Sequence, residues 1–193
     1  GLSYLMADDP QLVDAVFARV GEIYEKVYRD CSQMDAVGGL IISDDLGFKT
    51  GTMISPMALR RWVFPWYRRF VDVCHSNDKP VILHSCGNLI EVMDDIIDCG
   101  IDAKHSFEDQ IMPVTEAKRI YGDRIAVLGG VDLDFLCRAT EAEVRRRTRE
   151  ILEECMPGGG YALGTGNSVS NYVPIENYLA MLDEGAQVGV YHT

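Results

Sequence analysis

The chain has 193 residues, 47% hydrophobic and 25% charged, enough for one domain with a true core. Its net charge of −12 argues against nucleic acid or an anionic membrane surface as a partner, since both need basic patches. No apolar run reaches the length of a membrane span, Gly1–Asp9 lacks the features of a signal peptide, and the six scattered cysteines read as reduced, which points to the cytoplasm.

The first predicted element is a helix from Pro10 to about Met34, with Asp9 as N-cap and proline in its first turn. Leu12, Val13, Val16, Phe17, Val20, Ile23, Tyr24 and Val27 recur at the helical period and form its expected core face. Gly39–Ser43 reads as a short buried strand that runs into Asp44-Asp45-Leu46-Gly47. Ser55-Pro56 opens a second helix to about His75, which Pro65 should kink or split. One unit then repeats. Strands are expected at Pro80–Leu83, Ile101–His105, Arg124–Leu128 and Tyr161–Leu163. Helices are expected at Ile90–Cys99, Val114–Tyr121, Glu141–Cys155 with Thr140 as N-cap, and Ile175 to about Glu184. Short buried strands alternating with amphipathic helices imply an α/β fold with a parallel sheet and right-handed crossovers. Gly158-Gly159-Gly160 precedes a strand and reads as a helix-to-strand turn, not a phosphate cradle. About five such units fit in the chain, against the eight of a closed barrel of about 250 residues, so the sheet is either open or part of a barrel.

Reactive side chains gather at the strand ends. The first strand ends in Asp44 and Asp45, and the second in His84 and Cys86. The third ends in His105, Ser106, Glu108 and Asp109, the fourth in Gly129-Gly130-Val131-Asp132, and the fifth in Gly164-Thr165-Gly166-Asn167-Ser168. In a parallel α/β fold these ends share one face, and that face carries the active site. Each residue alone also reads as a cap or a loop hydrogen-bonder; five strand ends behaving alike point to a site. The run Val81-Ile82-Leu83-His84-Ser85-Cys86-Gly87 is the sharpest case. Positions i and i+2 leave a strand on the same side, so an imidazole and a thiol emerge together just before a glycine. Both are ligands that suit zinc, although a histidine beside an ordinary buried cysteine would look the same. A third ligand could come from His105, Glu108, Asp109 or Asp132. The mouth is acidic, which suits a metal ion or a cationic or neutral substrate and suits a polycarboxylate poorly.

Seven blocks together resemble the uroporphyrinogen decarboxylase-like family. They are Ser43–Gly47, Ile54–Pro56, Pro65–Tyr67, His84–Asn88, Lys104–Asp109, Gly129–Asp132 and Gly164–Ser168. The resemblance implies the C-terminal part of a TIM-type (β/α)8 barrel, so residues 1–193 are expected to be a single domain that lacks the first strands. The family's decarboxylases act without a metal and carry a histidine in a Gly-His-Gly motif; the matching residues here are Gly164-Thr165-Gly166. Its corrinoid-linked methyltransferases bind zinc through a His-x-Cys pair and a later cysteine. His84 and Cys86 match the pair, while the later cysteine falls near Asn167.

The resemblance therefore favours a zinc-assisted methyltransferase that moves a methyl group between a small substrate and a corrinoid protein or thiol. His84 and Cys86 are its expected metal ligands. Asp45, His105, Glu108 and Asp132 are its expected catalytic residues, and Asp109, Thr165, Asn167 and Ser168 its expected substrate contacts. The alternatives are a metal-free uroporphyrinogen decarboxylase of tetrapyrrole biosynthesis and a non-catalytic fragment.

Overall fold

The computed structural model describes residues 1–191. These residues form nine α-helices and seven strands. Helices α1 (Leu2–Asp8) and α2 (Pro10–Ser32) come first, and the Asp9 side chain caps α2 at the Leu12 amide. Strand β1 (Leu40–Ser43) follows, then a hairpin of β2 (Gly47–Phe48) and β3 (Gly51–Thr52). The predicted Ser55–His75 helix is split into α3 (Pro56–Trp62) and α4 (Phe64–His75). The break falls at Val63, which places Pro65 in the first turn of the new helix, where its missing N–H costs nothing.

Next come β4 (Val81–His84), a 3-10 turn at Ile90–Val92 and α5 (Met93–Asp98). They are followed by β5 (Ala103–His105), α6 (Val114–Tyr121), β6 (Ala126–Leu128) and α7 (Leu133–Arg138). The chain closes with α8 (Glu141–Cys155), β7 (Tyr161–Ala162) and α9 (Ile175–Val188). Thr140 and Glu143 form a reciprocal capping box on α8.

Five strands make one parallel sheet in the order β1-β4-β5-β6-β7. The register separates its two faces. Ile42, Leu83, Lys104, Val127 and Tyr161 lie in one row beneath the helices, and all five are buried. The next row, Ser43, His84, His105, Leu128 and Ala162, lies on the opposite, open face. A lysine in an otherwise apolar row is an anomaly that the site explains. The principal core runs from Tyr28 and Phe70 through Leu83, Val92, Ile96 and Val127 to Ile151 and Met181.

Helix α2 departs from expectation. It packs on α4 and β1, with Tyr28 in the principal core, while Val13 packs with Ala58 and Trp62 of α3. Leu12, Val16, Val20, Ile23, Tyr24 and Val27 instead face outward, each close to half exposed. At this end of the open sheet α2 has packing neighbours on one side only, so part of its apolar face stays bare. No helix among the described residues is long and apolar enough to cross a membrane.

Candidate metal centre

His84 ends β4 and His105 ends β5, side by side in the register. Their Nδ1 atoms are 2.7 Å apart and their rings stack with centroids 4.9 Å apart. His105 Nε2 lies 3.1 Å from the Thr165 carbonyl oxygen, which can only accept. That nitrogen therefore carries the proton. Burial, with His84 and Lys104 adding to it, holds the His105 pKa below its ordinary value, so the ring is neutral and its Nδ1 is an acceptor. His84 must then donate from its own Nδ1, and in its neutral form the lone pair lies on its Nε2. That atom is 3.7 Å from Cys86 Sγ.

Asp45 brings an oxygen to the same place. One ligand atom each from Asp45, His84 and Cys86 lie within 4.8 Å of one another. Asp45 sits in the loop after β1, whose course is set by the Leu46 amide donating to Ser85 Oγ at 3.0 Å. The neighbouring Asp44 is committed elsewhere, since it accepts from Tyr67 OH at 2.8 Å. The hairpin that follows lies tightly on the β4 loop. Gly87 has φ +84, and a Cβ there would meet the Gly47 carbonyl carbon at 2.2 Å. Asn88 donates its backbone N–H to the Phe48 carbonyl at 2.7 Å. Only glycine allows both the backbone conformation and the contact.

Donors surround the Cys86 sulfur. Asn167 Nδ2 approaches it at 3.1 Å and Ser106 Oγ at 3.6 Å. Ser106 is a non-glycine residue at φ +84 and only 4% exposed. Its carbonyl is gripped by Lys104 Nζ, which also donates to Ser85 O at 3.2 Å and His105 O at 3.4 Å. The anomalous lysine is thus a buried ammonium clamped on the carbonyls where β4 and β5 end. Burial pushes its pKa down to about 8, against opposing pulls from Cys86 and Glu108.

The remaining expected site residues divide. Asp132 is the N-cap of α7: its Oδ1 accepts from the Asp134 and Phe135 amides and its Oδ2 from the Asp109 amide. Asp109 lies 3.6 Å from Arg147, and its buried Oδ1 has no partner. Burial raises the Asp109 pKa, opposed chiefly by Arg147. Thr165 turns its hydroxyl to the Asn167 carbonyl, and Ser168 is exposed at the rim. Glu108 lines a cleft of about 270 Å³ together with Lys49, Phe107, Asp132 and Asn167. Sequence reasoning did not see the approach of Asp45 to the His84–Cys86 pair, nor the donors to sulfur. Asp45 was expected in a catalytic role, and the acidic Asp44-Asp45 pair gave no sign that its carboxylate would join the metal pair.

A statistical model of the family described as uroporphyrinogen decarboxylase (URO-D) matches residues 2–187. The chain belongs to this family. Among curated relatives, the methylcobamide:CoM methyltransferase MtaA of Methanosarcina barkeri is 26% identical over 131 residues, 67% of this chain and 36% of that protein. The uroporphyrinogen decarboxylase of Thioalkalivibrio sulfidiphilus is 30% identical over 192 residues, 96% of this chain and 52% of that protein. The solved structure of a methyltransferase from Methanosarcina mazei superposes with a TM-score of 0.61 at 23% identity, covering 79% of this chain and 43% of that one. That likeness shows the fold: the parallel β/α units are part of a TIM-type barrel. The chain spans about a third to a half of the length of the curated relatives named here.

The donor set suits zinc. The sulfur of Cys86, an imidazole nitrogen of His84 and a carboxylate oxygen of Asp45 would make a borderline-soft N/S/O triad, and three protein ligands would leave a fourth position open.

Proposed function

We propose that this URO-D family chain is part of a methyltransferase that moves a methyl group between a small substrate and a corrinoid protein or thiol, with zinc held by Asp45, His84 and Cys86. The observation that carries the reading is the convergence of those three donors within 4.8 Å. Bound there, zinc would supply Lewis acidity and would lower the pKa of an incoming thiol or hydroxyl.

The chain's own residues do the rest. His105, fixed by the Thr165 carbonyl, holds His84 in the tautomer whose Nε2 is free to ligate. Lys104 ties the ends of β4 and β5 together beneath the site, so that His84, Ser85 and Ser106 keep one geometry. Asp132 stiffens the loop on one side of the cleft by capping α7 and holding the Asp109 amide. Glu108 lines the cleft and is our candidate to meet the substrate there, with Asp109, Thr165, Asn167 and Ser168 as its rim. The six cysteines are free thiols, which suits a reducing compartment such as the cytoplasm.

The second reading is a metal-free decarboxylase, favoured by the relative of that name that aligns with 96% of the chain. A zinc titration of the wild type, His84→Ala and Cys86→Ala separates the two. Stoichiometric zinc in the wild type and loss in both variants supports the methyltransferase. Equal, weak uptake by all three removes zinc from the mechanism and returns the lead to the decarboxylase.

A further inference from the structure

Asn167 and Cys86 are 81 positions apart, yet the Asn167 amide nitrogen sits 3.1 Å from the Cys86 sulfur. Nothing in the chemistry of an ordinary buried thiol requires this. The orientation of the amide is over-determined. Its Oδ1 accepts from the Ser168 backbone N–H at 2.8 Å, so Nδ2 is the end that faces sulfur. A flipped amide would set NH2 against N–H and oxygen against sulfur, losing both contacts. The Asn167 carbonyl is held in turn by Thr165 Oγ1 at 2.6 Å. A second donor, Ser106 Oγ, arrives at 3.6 Å from a residue kept at φ +84, with Lys104 on its carbonyl. Two side chains from two different strand-end loops therefore aim donors at one sulfur, and one of them comes from a strained backbone position. A donating amide nitrogen has no lone pair to offer, so Asn167 can hold the sulfur and cannot ligate a metal beside it.

We propose that Asn167 is a positioning residue for Cys86. It fixes the direction of the sulfur lone pairs by hydrogen bonding, draws electron density from the sulfur, and keeps its own flank of the metal centre free of a further protein ligand. This rests on the metal reading above. Removing such an outer partner typically costs about 10–100-fold in metal affinity.

The test is a titration of the metal-free chain with cobalt(II), whose sulfur-to-metal absorption reports each bound thiolate. The wild type should give a one-thiolate band. Asn167→Ala should keep one thiolate, bind more weakly by about 10–100-fold, and move the band to longer wavelength, because the sulfur electrons are no longer held by the hydrogen bond. Asn167→Cys should add a second thiolate to the band and bind more tightly. An Asn167→Ala titration indistinguishable from wild type, with circular dichroism unchanged, overturns the proposal. The metal reading fails in a different way, through a wild type without the band. In that case the metal-free Asn167→Cys protein still decides the placement. A disulfide between Cys86 and the new thiol under mild oxidation supports it, and two persistently free thiols there overturn it.

Discussion

The Nδ1 atoms of His84 and His105 lie 2.7 Å apart, so one of the two rings must donate and the other accept. The Thr165 carbonyl settles which, because it demands the proton on His105 Nε2. One backbone carbonyl beyond the last strand thereby sets, through His105, the tautomer of the His84 ring three strands away. His105→Phe keeps an aromatic ring but breaks this chain of protons. Zinc affinity should fall about 10–100-fold with little change in fold, read by calorimetric titration and circular dichroism.

Asp45 and Asp44 are adjacent in sequence and opposite in role. Asp45→Asn should weaken zinc binding by about tenfold or more, as expected when a ligand carboxylate is lost. Asp44→Asn should leave it nearly unchanged, since Asp44 is turned to Tyr67. Equal effects in a paired titration would mean that the acidity of the mouth, and not ligation, governs uptake.

Gly87→Ala meets both a left-handed backbone and the Gly47 carbonyl group within 2.3 Å. Neither neighbour is a flexible side-chain tip. The variant should lose on the order of 3 kcal/mol in urea unfolding and should release the hairpin. Gly47→Ala, whose nearest contacts are 3.0–3.2 Å, should cost less.

Stability should bend with pH on the alkaline side. Lys104 is held down at about 8 in the folded state against an ordinary 10.5. Its unfavourable buried charge is relieved as pH rises through 8, so stability climbs there. Burial holds Cys74, Cys99 and Cys155 up at about 11 against an ordinary 9.0. Their support is full below pH 9.0 and is lost as pH rises towards 11, and three thiols outweigh one lysine. Thermal melts should rise gently from pH 8 to about 9 and then fall. Lys104→Met should erase the rise and keep the fall.

The five strands and the helices between them were legible because apolar runs and helical periods are local signals. The small elements were not. Helix α1, the β2–β3 hairpin and α7 have too few residues to establish a period. Helix α2 was legible as a helix, but its burial was not, because Val16 and Val20 would look the same whether or not a neighbour covered them. His84 and Cys86 stood out as a pair through strand geometry. Asn167 was marked beside them only by the resemblance, as the position of a later cysteine and not as a donor to sulfur, and Asp45 was not marked as a ligand; Asp45 reaches the pair and Asn167 the sulfur from separate loops, and loop paths are set by contacts such as Leu46 N to Ser85 Oγ. Asp132, expected in a catalytic role, spends both its oxygens on backbone amides.

The order of strands in the sheet is the order of strands in the chain. Each new strand of this sheet joins the one before it, with partners from about twenty positions apart, as for Ile82 and Ala103, to about forty, as for Leu40 and Val81. No strand has to wait for a distant stretch before it can pair. A polypeptide emerging from the ribosome could therefore lay down this sheet from one side to the other, always exposing its latest strand as a template for the next. The metal centre is the exception. Asp45 and His84 would be waiting early, Cys86 would follow at once, and Asn167 would close on the sulfur only after the fifth strand had been laid, which makes it the last polar contact of the centre to form.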